Sequence, residues 1–224
     1  RRAIEAGFDG VEIHGANHYL IHQFFSPYYN RREDEWGDHL KFPLAVIDEV
    51  LKVKETYANK DFIVGYRLSP EEAESPGISM EHTEKLIKTI TKKAIDYVHI
   101  SIMDIHSQTR EGKYEGEERL KLIHQWVDGR IPVIGIGSVF SADDALDAVE
   151  STGIELVALG RGILLDYNFV NKIEEGKEEE IISYFDPNRE DKHALPPNLW
   201  EQFNKGFYPV SYTHLRAHET EADL

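Results

Sequence analysis

The 224-residue sequence contains no cysteine. That excludes a disulfide framework and any zinc or iron–sulfur site ligated by thiolates, and it makes the cytoplasm the expected compartment. No apolar run approaches the roughly 20 residues that a bilayer-spanning helix needs, and no leader-like segment opens the chain, so no membrane association is expected. Basic residues are scarce, with 25 Lys and Arg against 41 Asp and Glu and a net charge of −16. The cations are scattered rather than striped. A nucleic-acid partner, which needs a basic face, is excluded on that ground. What is left, 41% hydrophobic and 29% charged, is the composition of an ordinary globular protein. The expected partner is a small-molecule substrate.

A strand–helix rhythm runs from residue 10 to about residue 175. Strand-like runs fall at Gly10–His14, Phe62–Leu68, Tyr97–Ile102, Ile131–Ile136 and Leu156–Gly160, with helical spacing over Phe42–Tyr57, His82–Ala94, Glu118–Val127, Ser141–Val149 and Asn168–Glu175. Runs such as FIVGYRL and IPVIGIG are continuously apolar, as in parallel strands covered on both faces. Ser141 followed by Asp143 and Asp144 reads as a helix N-terminus. Five successive β/α units exclude all-α and all-β folds. Two architectures stay open: a doubly wound sheet, or part of a (β/α)8 barrel, which complete takes roughly 250 residues.

Chemistry concentrates in residues 10–37, GVEIHGANHYLIHQFFSPYYNRREDEWG. A short strand breaks there into His14, Asn17 and Tyr19. Two N–H donors on one oxygen stabilise developing negative charge, and a phenol nearby can deliver a proton. The structural alternative makes Asn17 a local cap and Tyr19 a packing residue. His14, His18 and His22 recur every four residues and could line one helical face. Zinc sites want a carboxylate or a fourth ligand with a defined outer shell, a solvated His-rich face is commoner, and no metal is assigned. Arg67 closes the second strand, where a cation needs an anion, an electron-rich ring or a route to solvent. His99, Ser101 and Asp104 end the third strand less specifically. The fourth and fifth strands end in glycine turns, Gly135-Ile136-Gly137-Ser138 and Gly160-Arg161-Gly162. Such turns before helices allow close approach of a phosphate.

These motifs together resemble the Old Yellow Enzyme family of NADH:flavin oxidoreductases over about residues 3–175. The phrase at residues 10–37, GYRLSP, VIGIGS and ALGRGIL match in order and spacing. The resemblance implies an α/β fold, the (β/α)8 TIM barrel, here incomplete with about units four to eight. It implies FMN as cofactor, NADH or NADPH as electron donor, and an activated alkene or similar electrophile as substrate. It places the substrate oxygen on His14 and Asn17, the proton donor at Tyr19, the flavin pyrimidine edge at Arg67, and the FMN phosphate at Gly160 and Arg161 with Gly137 and Ser138 nearby. Departures are His18, where the family has a small residue, and Trp36 and Asp38 in the phrase ending. IISYFDPNRE lacks the cysteines of cluster-bearing relatives. A non-flavin barrel enzyme with a phosphorylated substrate, or an inactive truncated barrel, is the alternative.

The expected division is a barrel segment over 1–176, an extension over 177–210 and a non-native or frame-shifted tail over 211–224. A fragment is expected, since Arg1 already lies within a helix-like phrase. Five units would leave open sheet edges and weak FMN binding. A homo-oligomer is possible for the full-length protein.

Overall fold

The computed structural model describes residues 1–188 and 193–206, so residues 211–224 lie outside the described residues. Five parallel strands form one sheet: β1 (Gly10–Gly15), β2 (Ile63–Leu68), β3 (Tyr97–Ser101), β4 (Val133–Ile136) and β5 (Leu156–Ala158). Their spatial order is β1-β2-β3-β4-β5, the order of the chain itself. A doubly wound sheet reverses its order at a switch point, whereas a barrel wall adds each strand beside the last. The consecutive order therefore decides for an incomplete (β/α)8 barrel, with β1 and β5 as edges.

The helices are α1 (Arg2–Glu5), α2 (Leu20–Phe25), α3 (Lys41–Tyr57), α4 (Met80–Ile90), α5 (Arg119–Val127), α6 (Ala142–Thr152), α7 (Arg161–Leu165), α8 (Phe169–Glu174) and α9 (Pro197–Asn204). The five helical patterns read from the sequence all occur. The predicted helix start at Ser141 is observed: its hydroxyl accepts from Asp144 N–H at 3.1 Å, and the Asp144 carboxylate accepts from Ser141 N–H at 2.9 Å. Short helices α2 and α7 are too brief to show a period. Helix α9 was masked by its prolines and polar flanks.

Two compact units divide the chain, one holding Arg1–Ile136 and Ala148–Val157, the other Gly137–Asp147 and Ala158–Leu224. In the first, one face of the strands supplies Ile13, Val64, Tyr66, Leu68, Val98, Ile100 and Val133, all buried. The helix residues Ile47, Leu86, Ile87, Ile90, Leu120 and Ile123 are buried with them in the core. Along the free edge of β1 runs an apolar groove of about 690 Å³ lined by Val11, Ile13, Phe42, Val46, Val50 and Phe62. The second unit has its own small core of Leu165, Phe185 and Phe203, flanked by Phe140, Leu199 and Trp200. Residues beyond Gly176 thus contribute packing of their own.

Candidate active site

Side chains alternate across a strand, so every second residue of β1, β2 and β3 faces away from that helix-covered core. In register, His14 lies beside Arg67 and Arg67 beside His99, while Glu12 lies beside Gly65 and Gly65 beside Tyr97. These form two stacked polar layers. In the lower layer, the Glu12 carboxylate accepts from the Tyr97 hydroxyl at 3.1 Å and lies 2.9 Å from His99 Nδ1. Gly65 makes room for this: a Cβ there would stand 2.0 Å from Tyr97 Cζ. Burial raises the Glu12 pKa, but the bonds from His99 and Tyr97 and the Arg67 charge outweigh it and leave the group below the usual carboxylate value.

The upper layer holds the predicted substrate pair. Arg67 Nη2 donates to Ser101 Oγ at 2.9 Å, and Ser101 Oγ donates to Asn17 Oδ1 at 2.8 Å. Asn17 N–H donates to Ser69 Oγ at 3.0 Å. A guanidinium can only donate, so the Ser101 proton is available for Asn17 Oδ1. With Oδ1 occupied, the two Asn17 amide N–H donors are left for another acceptor. Asn17 and His18 both adopt left-handed backbone, with φ of 57° and 59°. That turn lifts the chain from the end of β1 into α2. Burial, then the Arg67 charge, pushes the His14 imidazole below the ordinary histidine value, so it is neutral at pH 7 and offers one N–H. Tyr19 caps the start of α2, is 62% exposed, and its ring lies 5.1 Å from that of His14. The structure thus brings His14, Asn17, Tyr19 and Arg67 together.

Arg67 is half-buried and its Nε is buried without a hydrogen-bond partner. A buried guanidinium N–H left unmade is costly, and it fits an acceptor edge such as that of a flavin pyrimidine. In the second unit, Arg161 Nη2 donates to Ser138 Oγ at 3.2 Å, joining the loops that follow β4 and β5. Gly137 and Ser138 take φ values of 150° and 52°, and Gly160 precedes α7. A Cβ on Gly162 would stand 2.7 Å from the Val139 carbonyl oxygen. The donor set of guanidinium, hydroxyl and turn backbone fits a phosphate.

Ser69 and Ser101, which set the Asn17 amide, carried no signal beyond their place at strand ends. The Glu12–His99 pair was hidden too, since its partners are 87 residues apart. One reading is corrected. His14, His18 and His22 do not share a helical face, because His14 belongs to β1 and only His22 lies within α2. His18 and His22 instead converge with Glu72.

Residues 1–180 match the NADH:flavin oxidoreductase / NADH oxidase family. The chain belongs to that family. Among curated relatives, it is 49% identical over 205 residues to the probable NADH-dependent flavin oxidoreductase YqiG of Bacillus subtilis (strain 168), covering 90% of this chain and 55% of that protein. It is 40% identical to the NADH:acrylate oxidoreductase of Vibrio harveyi, covering 89% of this chain and 20% of that one. Morphinone reductase in complex with tetrahydroNAD matches in structure with a TM-score of 0.60 and 23% identity, covering 79% of this chain and 46% of that one. The chain therefore spans about half, or less, of the length of these relatives, and the structural likeness bears on the fold alone. Among the described residues no helix is long and apolar enough to cross a membrane.

Proposed function

We propose that this barrel segment carries the substrate pair, proton donor and flavin contacts of an FMN-dependent oxidoreductase. The enzyme takes hydride from NADH or NADPH and delivers it to an activated alkene or similar electrophile. The observation that carries this reading is the Arg67–Ser101–Asn17 chain of hydrogen bonds. It occupies Asn17 Oδ1, which leaves the amide N–H donors for a substrate oxygen, while Arg67 Nε stays unpaired. FMN, when bound, would supply the hydride-transfer chemistry between nicotinamide and electrophile. His14 and Asn17 hold the electrophile's oxygen and stabilise the charge that grows on it during reduction. Tyr19, exposed beside His14, protonates the adjacent carbon. Arg67 supports the pyrimidine edge, and Arg161 with Ser138, Gly137 and Gly160 holds the phosphate. A cytoplasmic setting and a homo-oligomeric full-length protein belong to the same proposal. The acrylate relative is matched over only 20% of its length, so its substrate is not carried over.

The test is Tyr19→Phe, assayed by anaerobic stopped flow in separate half-reactions after the released flavin has been identified by chromatography. Flavin reduction by NADH should stay within about twofold of the unmodified protein, while alkene reduction slows by about 100-fold or more. Equal losses in both half-reactions, or a flavin other than FMN, would overturn the assignment.

A further inference from the structure

Beside the Asn17 turn lies a second cluster that the flavin chemistry does not use. We propose that His18, His22 and Glu72 bind one divalent transition-metal ion, zinc by preference, which fastens the Asn17–Tyr19 turn and α2 to the loop after β2. The candidate ligand atoms of the three residues all lie within 4.8 Å of one another. Glu72 Oε2 stands 2.9 Å from His22 Nε2 and 4.0 Å from His18 Nδ1. Neighbouring donors around tetrahedral zinc sit about 3.3 Å apart, given Zn–N and Zn–O bonds near 2.0 Å. The first separation must open by a few tenths of an ångström and the second close by somewhat more.

The burial pattern permits that adjustment. The His22 and Glu72 side chains are fully buried, whereas that of His18 is 48% exposed and has room to swing. Glu72 is held like a ligand. Its Oε1 accepts from the Ser26 hydroxyl and from Ile78 N–H at 2.9 Å, which leaves Oε2 facing the two imidazoles. Such outer bonds on the non-coordinating oxygen are the usual support of a metal carboxylate. Charge points the same way. Glu72 has no Lys or Arg partner among the described ion pairs, only His18 and His22. Glu74, two residues on, has a buried Oε2 without a hydrogen-bond partner.

The donor set selects the metal class. Two imidazoles and one carboxylate suit zinc and its transition-metal neighbours, whereas calcium and magnesium want oxygen ligands throughout. Solvent reaches the fourth position from the exposed His18 side. His18 also occupies left-handed backbone, at φ 59°, where glycine is the unstrained choice. A metal contact gives the imidazole a use at that strained position. This site stands independently of the flavin reading.

The full chain, stripped with chelator, is titrated with Zn²⁺ alone by calorimetry, and with Co²⁺ alone for the visible bands of tetrahedral cobalt. One ion per chain is expected. His18→Ala is the deciding variant, because its exposed side chain can be removed without opening the core; stoichiometric binding should vanish, as it should in Glu72→Gln. Ser26→Ala should weaken affinity about tenfold, and His106→Ala should leave it unchanged. No stoichiometric binding by the unmodified chain, or undiminished binding by His18→Ala with its far-UV circular dichroism intact, would refute the site.

Discussion

Ser101→Ala probes how the Asn17 amide is aimed. The Ser101 hydroxyl accepts from Arg67 Nη2 at 2.9 Å and donates to Asn17 Oδ1 at 2.8 Å. Alanine removes both bonds and leaves the amide oxygen only the longer bond from the Ser69 hydroxyl, at 3.4 Å. Asn17 is exposed and Ser101 half-buried, so water can replace part of what is lost. The net cost belongs near the ordinary value for a neutral hydrogen bond, about 1–1.5 kcal/mol. In rate terms that is about 5- to 12-fold in kcat/KM for the electrophile. Ser101→Thr keeps the hydroxyl and should recover most of the loss. A double-mutant cycle isolates the mechanism, because residues acting through one another are not additive. In an Asn17→Ala background, Ser101→Ala should cost almost nothing further. Full additivity in that cycle, or a kcat/KM for Ser101→Ala within about twofold of the unmodified enzyme, would refute the relay.

Other expectations concern stability. Gly65→Ala drives a Cβ to within 2.0 Å of Tyr97 Cζ, forcing the ring out and breaking its bond to Glu12. About 2 kcal/mol of destabilisation is expected, a fall of roughly 4–8 °C in Tm; an unchanged melting curve would contradict the packing. Burial lowers the pKa of both His82 and His14, so the unfolded chain takes up protons that the folded chain refuses. Stability should therefore decline as pH drops below about 6.5, the unfolded histidine value, and urea midpoints that stay flat between about pH 7 and pH 5 would argue against it. Glu12 has the acidic sign: its folded pKa is depressed, so its contribution is present above the unfolded carboxylate value and is lost as pH falls through the folded one. Glu12→Gln should blunt the acid sensitivity in that lower window, and an unaltered acid profile in the variant would count against the His99 pairing.

The strand–helix alternation was legible because apolar runs and helical periods are local properties of the chain. FIVGYRL and IPVIGIG read directly as covered parallel strands, and Ser141 with Asp144 read directly as a helix cap. The motifs also placed His14, Asn17, Tyr19 and Arg67 at strand ends, where a barrel puts its chemistry. The sequence by itself thus determined the β/α class and the residue types available for the site. Tertiary structure alone decided between an open sheet and a barrel wall, since strand order is a matter of which segments pair across dozens of residues. It alone joined Glu12 to His99 and Arg67 through Ser101 to Asn17. It also withdrew His14 from the other histidines and set Glu72 beside His18 and His22. The physical reason is that hydrogen-bond partners 34 to 87 residues apart in the chain leave no periodic trace, and only the tertiary fold brings them within reach.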